Sequence, residues 1–194
     1  MQQLLSNQFR NHISSYITLD NNDFEQISSC FSLTKTRKGE FLVLPGQICK
    51  FEYFILKGLF QTLLADEKGA EHTISFPHEN WWTGDFKSFR NRTPSRLTIK
   101  GLEESILLRI SLDDFNRLII QSDKFAEYIR ILTENNSMAM QERVLDGLSN
   151  GVGENYARFL QKFPHLEGRV SQKQMASYLG ISPEYFNKVL HSKK

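Results

Sequence analysis

The charged side chains near the C-terminal end have the types and spacing needed to contact nucleic-acid phosphates. Residues 165–194 contain five basic and two acidic side chains, namely Arg169, Lys173, Lys188, Lys193 and Lys194 against Glu167 and Glu184. Five minus two gives this segment a net charge of +3, whereas the whole chain of 194 residues carries only +2. The positive charge is therefore concentrated where phosphate contact would need it.

Two short helices joined by a tight turn are predicted to hold these side chains. The first covers residues 172–179, and Gly180 supplies the left-handed backbone at its end. Ser182 is expected to cap the second helix, and Pro183 suits its first position, where a missing N–H is harmless. The residues expected to be buried are Met175, Ala176 and Leu179, then Tyr185, Phe186, Val189 and Leu190. This helix-turn-helix pattern is typical of DNA binding in the major groove; an ordinary packing hairpin of two helices is the alternative.

Metal and redox chemistry have few candidate residues. Cys30 and Cys49 are too few for a disulfide scaffold, a four-cysteine zinc site or an all-cysteine iron–sulfur cluster. A cupin-like metalloenzyme is the enzymatic alternative, since His72, His78 and Glu79 are present, but the close His-x-His pair of such enzymes is missing. We therefore expect no catalytic site, no metal and no cofactor.

Short β segments dominate the N-terminal half. Six strands are predicted, at residues 41–44, 53–56, 60–65, 72–76, 97–99 and 106–110. Their close spacing, with turns and no helices between them, predicts a sandwich or jelly roll. The sequence DEKG at residues 66–69 predicts a hairpin turn in which Gly69 takes a positive φ.

Helices are predicted at residues 22–31, 114–121, 124–148 and 154–163. The third has about 25 residues and a length of roughly 37 Å. Two apolar rows run along it, Ile131, Met138 and Leu145 beside Phe125, Leu132 and Ala139, and Asn135 and Asn136 interrupt them. Such rows either pack within the domain or pair with a second copy of the helix, and we favour pairing in a homodimer.

The glycine-rich residues 150–153 are predicted to be a hinge between two domains, 1–148 and 149–194. The N-terminus has no signal-peptide pattern, and no run of about 18 apolar residues occurs, so we expect a cytoplasmic protein with no membrane partner.

The order of β segments, long helix, glycine hinge and helix-turn-helix resembles the Crp/Fnr family of bacterial transcription regulators. The matching segments are KGE at 38–40, PG at 45–46, YFILKG at 53–58, DEKG at 66–69 and WTGD at 82–85. The resemblance implies an α+β fold with an N-terminal β-roll (a double-stranded β-helix or jelly roll) and flanking helices. It also implies a long dimerisation helix at about 124–148, the C-terminal helix-turn-helix, and double-stranded DNA, a second copy and RNA polymerase as partners.

The same resemblance places an effector site at Gly84, Asp85, Ser95 and Arg96. Family members hold a cyclic phosphate with an Arg followed by a Ser or Thr, whereas here Ser95 precedes Arg96. We therefore expect a small anionic effector other than cAMP, and the alternative is a regulator that binds no ligand and uses the β-roll as a dimer scaffold. Residues 84–96, called the cassette below, are also cationic, through Lys87, Arg90, Arg92 and Arg96, although a solvated basic loop has the same composition. One of the adjacent Trp81 and Trp82 is expected to face the core and the other to face outward.

The resemblance maps base contacts to Ser182, Glu184, Tyr185 and Lys188, and phosphate contacts to Ser171 and Gln172. Glu184 can accept a hydrogen bond from cytosine, and Lys188 can reach guanine or a phosphate. Pro183 stands where well-known members have an Arg, and we expect the β-hairpin wing that often follows the second helix in this family to be missing or severely reduced. We therefore expect few contacts per subunit and binding as a homodimer to a palindromic promoter site.

Overall fold

The computed structural model describes residues 2–191 of the chain and the side chains from Asn7 onward. In that range there are eight α-helices: α1 Gln2–Ser14, α2 Asn21–Ser28, α3 Phe86–Asn91, α4 Leu112–Gln121, α5 Asp123–Ser149, α6 Val152–Lys162, α7 Gln172–Tyr178 and α8 Pro183–His191. The eight strands are β1 Ser32–Thr36, β2 Phe41–Val43, β3 Phe51–Lys57, β4 Phe60–Ala65, β5 Glu71–Ser75, β6 Trp82–Thr83, β7 Leu97–Gly101 and β8 Ser105–Ser111. None of the described helices is long and apolar enough to cross a membrane.

The chain forms two compact units. Unit 1 comprises Met1–Thr62 and Phe76–Glu134, and unit 2 comprises Leu63–Ser75 and Asn135–Lys194. The predicted division into domains 1–148 and 149–194 stays a prediction. The compact units instead separate within α5 and group the hairpin of residues 63–75 with the C-terminal helices.

The β segments form two four-stranded sheets, as the predicted sandwich requires. One has the order β1-β8-β3-β6, and the other has the order β2-β7-β4-β5. Strand β8 pairs antiparallel with both β1 and β3, and the β3 register shifts between Ile55 and Lys57. Phe54, Ile55, Leu107 and Ile99 are fully buried, so the sheets enclose the core of unit 1.

All six predicted strands and all six predicted helices are confirmed within a few residues at each end. Four of the α-helices and strands in the described range were not predicted: α1, β1, α3 and β6. Strand β1 has a single large apolar residue, β6 has two residues, and α3 has six, so each gives a weak periodic pattern. Helix α1 could have been found, because Phe9 and Ile13 are one turn apart and both are buried.

An aromatic cluster fixes the first part of α5 within unit 1. Phe125 and Tyr128 are fully buried, and the Trp82 indole N–H donates to the Tyr128 hydroxyl at 2.9 Å. The Trp82 ring also lies 6.0 Å from that of Phe54. Trp82 is thus the inward member of the tryptophan pair, and Trp81 is 37% exposed and stacks on His78 with ring centroids 4.4 Å apart.

In unit 2, α6 begins directly after α5, with Gly151 as its N-terminal cap. Asp146 bridges the predicted hinge, because one carboxylate oxygen accepts from Asn150 at 3.0 Å and from Arg158 at 2.8 Å. Its carbonyl also accepts from the Asn155 side chain at 3.2 Å. The predicted hinge is therefore a two-residue interruption between α5 and α6, and side-chain hydrogen bonds connect the two helices across it.

Candidate functional site

Local sequence signals determine the bounds of α7 and α8. Ser171 and Gln174 form a capping box at the start of α7, and Gly180 ends that helix with a φ of +70°. The Ser182 hydroxyl accepts from the Tyr185 N–H at 3.1 Å, so it caps α8 as predicted. Pro183 occupies the first position of α8.

The two helices pack through small and aromatic side chains. Ala176 is fully buried, and Met175 and Phe186 are 4% and 1% exposed. The Phe186 ring meets that of Tyr156 on α6 edge-on, with centroids 5.1 Å apart. Tyr185, however, is 52% exposed, so its predicted place in the buried stripe is wrong: it lies beside Phe186 and faces outward.

The predicted DNA-contacting residues all lie at the surface. Ser171 and Gln172 are exposed at the start of α7, and Ser182, Glu184, Tyr185 and Lys188 are exposed on and before α8. Residue 188 lies one helical turn after residues 184 and 185, so these three side chains share a face of α8. That face offers a carboxylate, a phenol and an ammonium group, which suit base edges and phosphates.

Glu184 is held as an anion. Its own main-chain N–H and the Ser182 hydroxyl donate to the carboxylate, and these bonds lower the pKa of Glu184. The two serines, Ser171 and Ser182, act as helix caps in addition to any ligand contact. Of the basic residues counted above, Lys193 and Lys194 lie outside the described residues.

A second surface feature is the apolar side of α5. Met138, Val144, Leu145 and Leu148 are 56%, 61%, 49% and 81% exposed, respectively. Earlier in the same helix, Ile131 and Leu132 pack against the core of unit 1. The apolar rows predicted from the sequence thus begin as core and continue as an exposed surface.

The cassette brings three of its four predicted effector residues together. Asp85 caps α3, and one of its carboxylate oxygens accepts from the Ser88 N–H at 3.0 Å. The other oxygen accepts from the Ser95 hydroxyl at 2.7 Å, and Ser95 is 3% exposed. Arg96, by contrast, is exposed. The polar atoms of Asp85 and Ser95 are therefore engaged with each other.

The cationic residues of the cassette contact neighbouring groups. The Arg90 guanidinium donates to Asn116 and lies 5.4 Å from the Phe115 ring centroid. Arg92 takes a left-handed conformation with a φ of 55° and donates to the Cys49 carbonyl at 3.4 Å. Lys87 and Arg96 are the other two cations of the cassette. Both are exposed, and no partner is seen for them among the described residues.

A buried carboxyl that was not predicted lies behind the cassette. Glu52, on β3, is 5% exposed, and its Oε1 atom has no hydrogen-bond partner among the described residues. A Cβ atom on Gly84 would lie 2.3 Å from that oxygen, so the glycine leaves the space that the carboxyl fills. Burial, and then the charge of Asp85, raise the pKa of Glu52 to about 8. The signal was present as the one acidic residue within an otherwise largely apolar strand.

The residues considered for metal and thiol chemistry have structural roles. His72 pairs with Asp66 at 3.0 Å, His78 bonds the Phe76 carbonyl at 2.8 Å, and Glu79 accepts from the Gly58 N–H at 2.8 Å. In the described range, no group of three or more His, Cys, Asp or Glu side chains is placed to hold a metal ion. Cys49 is buried, which raises the pKa of its thiol to about 11.

Comparison with known proteins identifies the fold. Residues 33–122 match the family model of the cyclic nucleotide-binding domain. The c-di-GMP responsive global regulator CLP of Xanthomonas campestris has a TM-score of 0.73 at 14% identity, over 90% of this chain and 91% of that chain. The catabolite activator protein of Thermus thermophilus has a TM-score of 0.60 at 18% identity, over 93% and 85%. A protein of Eubacterium rectale described as a transcriptional regulator of the Crp/Fnr family has a TM-score of 0.69 at 16% identity, over 92% and 87%. No curated protein sequence matches the chain.

Proposed function

We propose that this chain is a DNA-binding transcription regulator. Its residues 33–122 match the family model of the cyclic nucleotide-binding domain, and its fold is similar to the folds of Crp/Fnr regulators. The observation that carries the proposal is the exposed face of α8. Glu184, Tyr185 and Lys188 project from a helix whose opposite side is anchored by the buried Phe186. Helix α7, the turn at Gly180 and α8 then form the helix-turn-helix, with α8 as its recognition helix.

A homodimer is part of the proposal. The apolar side chains of α5 from Met138 to Leu148 are exposed in the single chain, and large apolar patches on soluble proteins mark interaction surfaces. A second copy of the same helix offers a matching apolar surface, and a symmetric pair would present two recognition helices to a palindromic site.

Within this function we favour a β-roll that does not bind cAMP. Asp85 and Ser95 satisfy each other, and Arg96 is exposed rather than brought to them. The arrangement favours the interpretation in which the β-roll is a dimer scaffold. A small anionic effector would have to use Lys87 or Arg96, or break the Asp85–Ser95 bond.

Substitution on α8 tests the proposal. Replacing Lys188 with alanine should weaken binding to the preferred duplex by about tenfold, because a base or phosphate contact is lost. Lys35→Ala, at an exposed lysine of β1, removes the same charge and should change affinity by no more than about twofold. Fluorescence anisotropy titrations give both values, and equal losses in the two variants would contradict the assignment of α8.

A further inference from the structure

A single hydroxyl joins α7 to the hairpin of residues 63–75, within unit 2. Ser177 Oγ accepts from the Thr73 N–H and from the Thr73 hydroxyl, each at 2.9 Å. It donates to the Glu71 carbonyl, also at 2.9 Å. One donor and two acceptor sites are all that a serine hydroxyl offers, so the group is fully used.

An arginine of α5 completes the junction. The Arg143 guanidinium donates to the carbonyls of Thr73, Ile74 and Tyr178. It also lies over the Tyr178 ring, 4.3 Å from the centroid, where a cation–π contact is favourable. The contacts made by Ser177 and Arg143, which we call the latch, therefore tie α7 to β5 and to α5 at once.

The hairpin held by the latch is acidic. Asp66, Glu67 and Glu71 are exposed there, and Lys68 is the one basic residue of the segment 66–71. The Glu71 main-chain carbonyl accepts from Ser177, so an acidic residue of the hairpin adjoins the helix that precedes the recognition helix. Negative charge within a Debye length of a DNA-binding surface opposes an approaching phosphate backbone, and that length is about 8 Å at physiological ionic strength.

We propose that the latch is an autoinhibitory contact: it holds the helix-turn-helix against an acidic hairpin and lowers its affinity for DNA until the hairpin is released. The inference rests on the proposed function and adds its regulation. The latch would then have two states, closed when Ser177 bonds Thr73 and Glu71, as in the structure, and open when these bonds are broken. DNA and the hairpin then compete for the helix-turn-helix. By linkage, opening the latch raises the affinity for DNA by the same factor by which bound DNA favours the open latch.

Ser177→Ala removes the latch hydroxyl and should raise affinity for a labelled duplex carrying the site preferred by the wild-type chain. We expect a gain of about fivefold or more, the lower end of typical coupling between sites, and the gain should shrink as salt rises. Ser149→Ala is the matched control, because its hydroxyl bonds only within its own stretch of chain. Thr73→Val is a milder variant that removes one of the three bonds and should give a smaller gain.

A variant that changes charge but keeps the latch distinguishes electrostatic repulsion between the hairpin and DNA from simple loosening of the fold. Glu67→Gln with Glu71→Gln keeps the main-chain acceptor of the latch and removes two negative charges, so affinity should again rise. Glu104→Gln, at an exposed acid of unit 1, is its control and should change affinity by no more than about twofold.

Hydrogen exchange reports the latch directly. The Thr73 amide donates to Ser177, so its exchange should accelerate in Ser177→Ala and when the wild-type chain binds DNA. Slower exchange on binding DNA, or an affinity for Ser177→Ala that is equal to or below that of the wild type, would overturn the latch and leave the proposed function standing. If the wild type and every variant fail to bind DNA, the proposed function itself is wrong.

Discussion

Replacing Glu52 with glutamine should remove a strong pH dependence from the stability of unit 1. The carboxyl is 5% exposed, its Oε1 atom lacks a partner among the described residues, and its pKa is raised to about 8 by burial and by Asp85. The folded chain therefore keeps a proton on Glu52 at pH values where the unfolded chain has lost it. Because the folded state binds the extra proton, stability should fall as pH rises from the ordinary value of 4.5 to about 8.

The magnitude follows from the two pKa values. Each pH unit between them changes the free energy of unfolding by about 1.4 kcal/mol, so the interval from pH 5.0 to 7.5 corresponds to about 3 kcal/mol. Glutamine does not titrate, so Glu52→Gln should gain that amount relative to the wild type over the same interval. Other titratable groups change the free energy of unfolding equally in both proteins, so their contributions cancel when the wild type is subtracted from the variant. One is His12, whose pKa burial lowers to about 4, so that it stabilises the fold as pH rises from 4 to 6.5.

Urea unfolding of both proteins at pH 5.0, 6.0, 7.0 and 7.5 measures the difference. Glu104→Gln, at an exposed position, gives the effect of removing a surface carboxyl. A difference between Glu52→Gln and the wild type that does not change with pH would show that Glu52 is solvated or ionised in the folded chain, and would contradict the burial of a protonated carboxyl.

Three further predictions concern the glycines, the core of unit 2 and the dimer. Gly84→Ala should lower the free energy of unfolding by roughly 1–3 kcal/mol, because its Cβ would overlap the Glu52 carboxyl. Gly147→Ala, in an open part of α5, should raise the free energy of unfolding by up to about 1 kcal/mol. Thermal unfolding measures both changes, and changes of the same sign would contradict the packing around these glycines. Phe186→Ala should destabilise unit 2 by about 3–5 kcal/mol, measured by hydrogen exchange of α7 and α8, and unchanged protection would argue against its burial. Leu145→Glu should shift the chain from dimer to monomer in sedimentation experiments while the chain stays folded, and a persistent dimer would place the interface elsewhere.

The features that the sequence predicts well are local. Gly180 and Ser182 determine the end of α7 and the start of α8 through contacts within a few residues, and both act as expected. The exposed side of α8 was also accessible to prediction, because helical periodicity separates Phe186 from Lys188. Tyr185 shows the limit of that reasoning, since an aromatic residue next to a buried position need not be buried.

The features that escaped prediction depend on residues far apart in the chain. Ser177 and Thr73 are separated by 104 positions, and nothing in either local sequence indicates their hydrogen bonds. Glu52 was hidden in the same way, because the closeness of Gly84 and Asp85 creates its environment. The resemblance placed Asp85 and Ser95 in one predicted effector site, but the sequence did not indicate that the two side chains bond each other, as they do in the structure.

Selection of binding sites from a pool of random DNA duplexes would show whether this chain recognises a specific DNA sequence. We predict enrichment of two inverted half-sites whose centres are about one helical turn, or roughly 34 Å, apart, bound by two copies of the chain with an affinity that falls as salt rises. Absence of any enriched sequence at both low and physiological salt would contradict the claim that this chain recognises DNA.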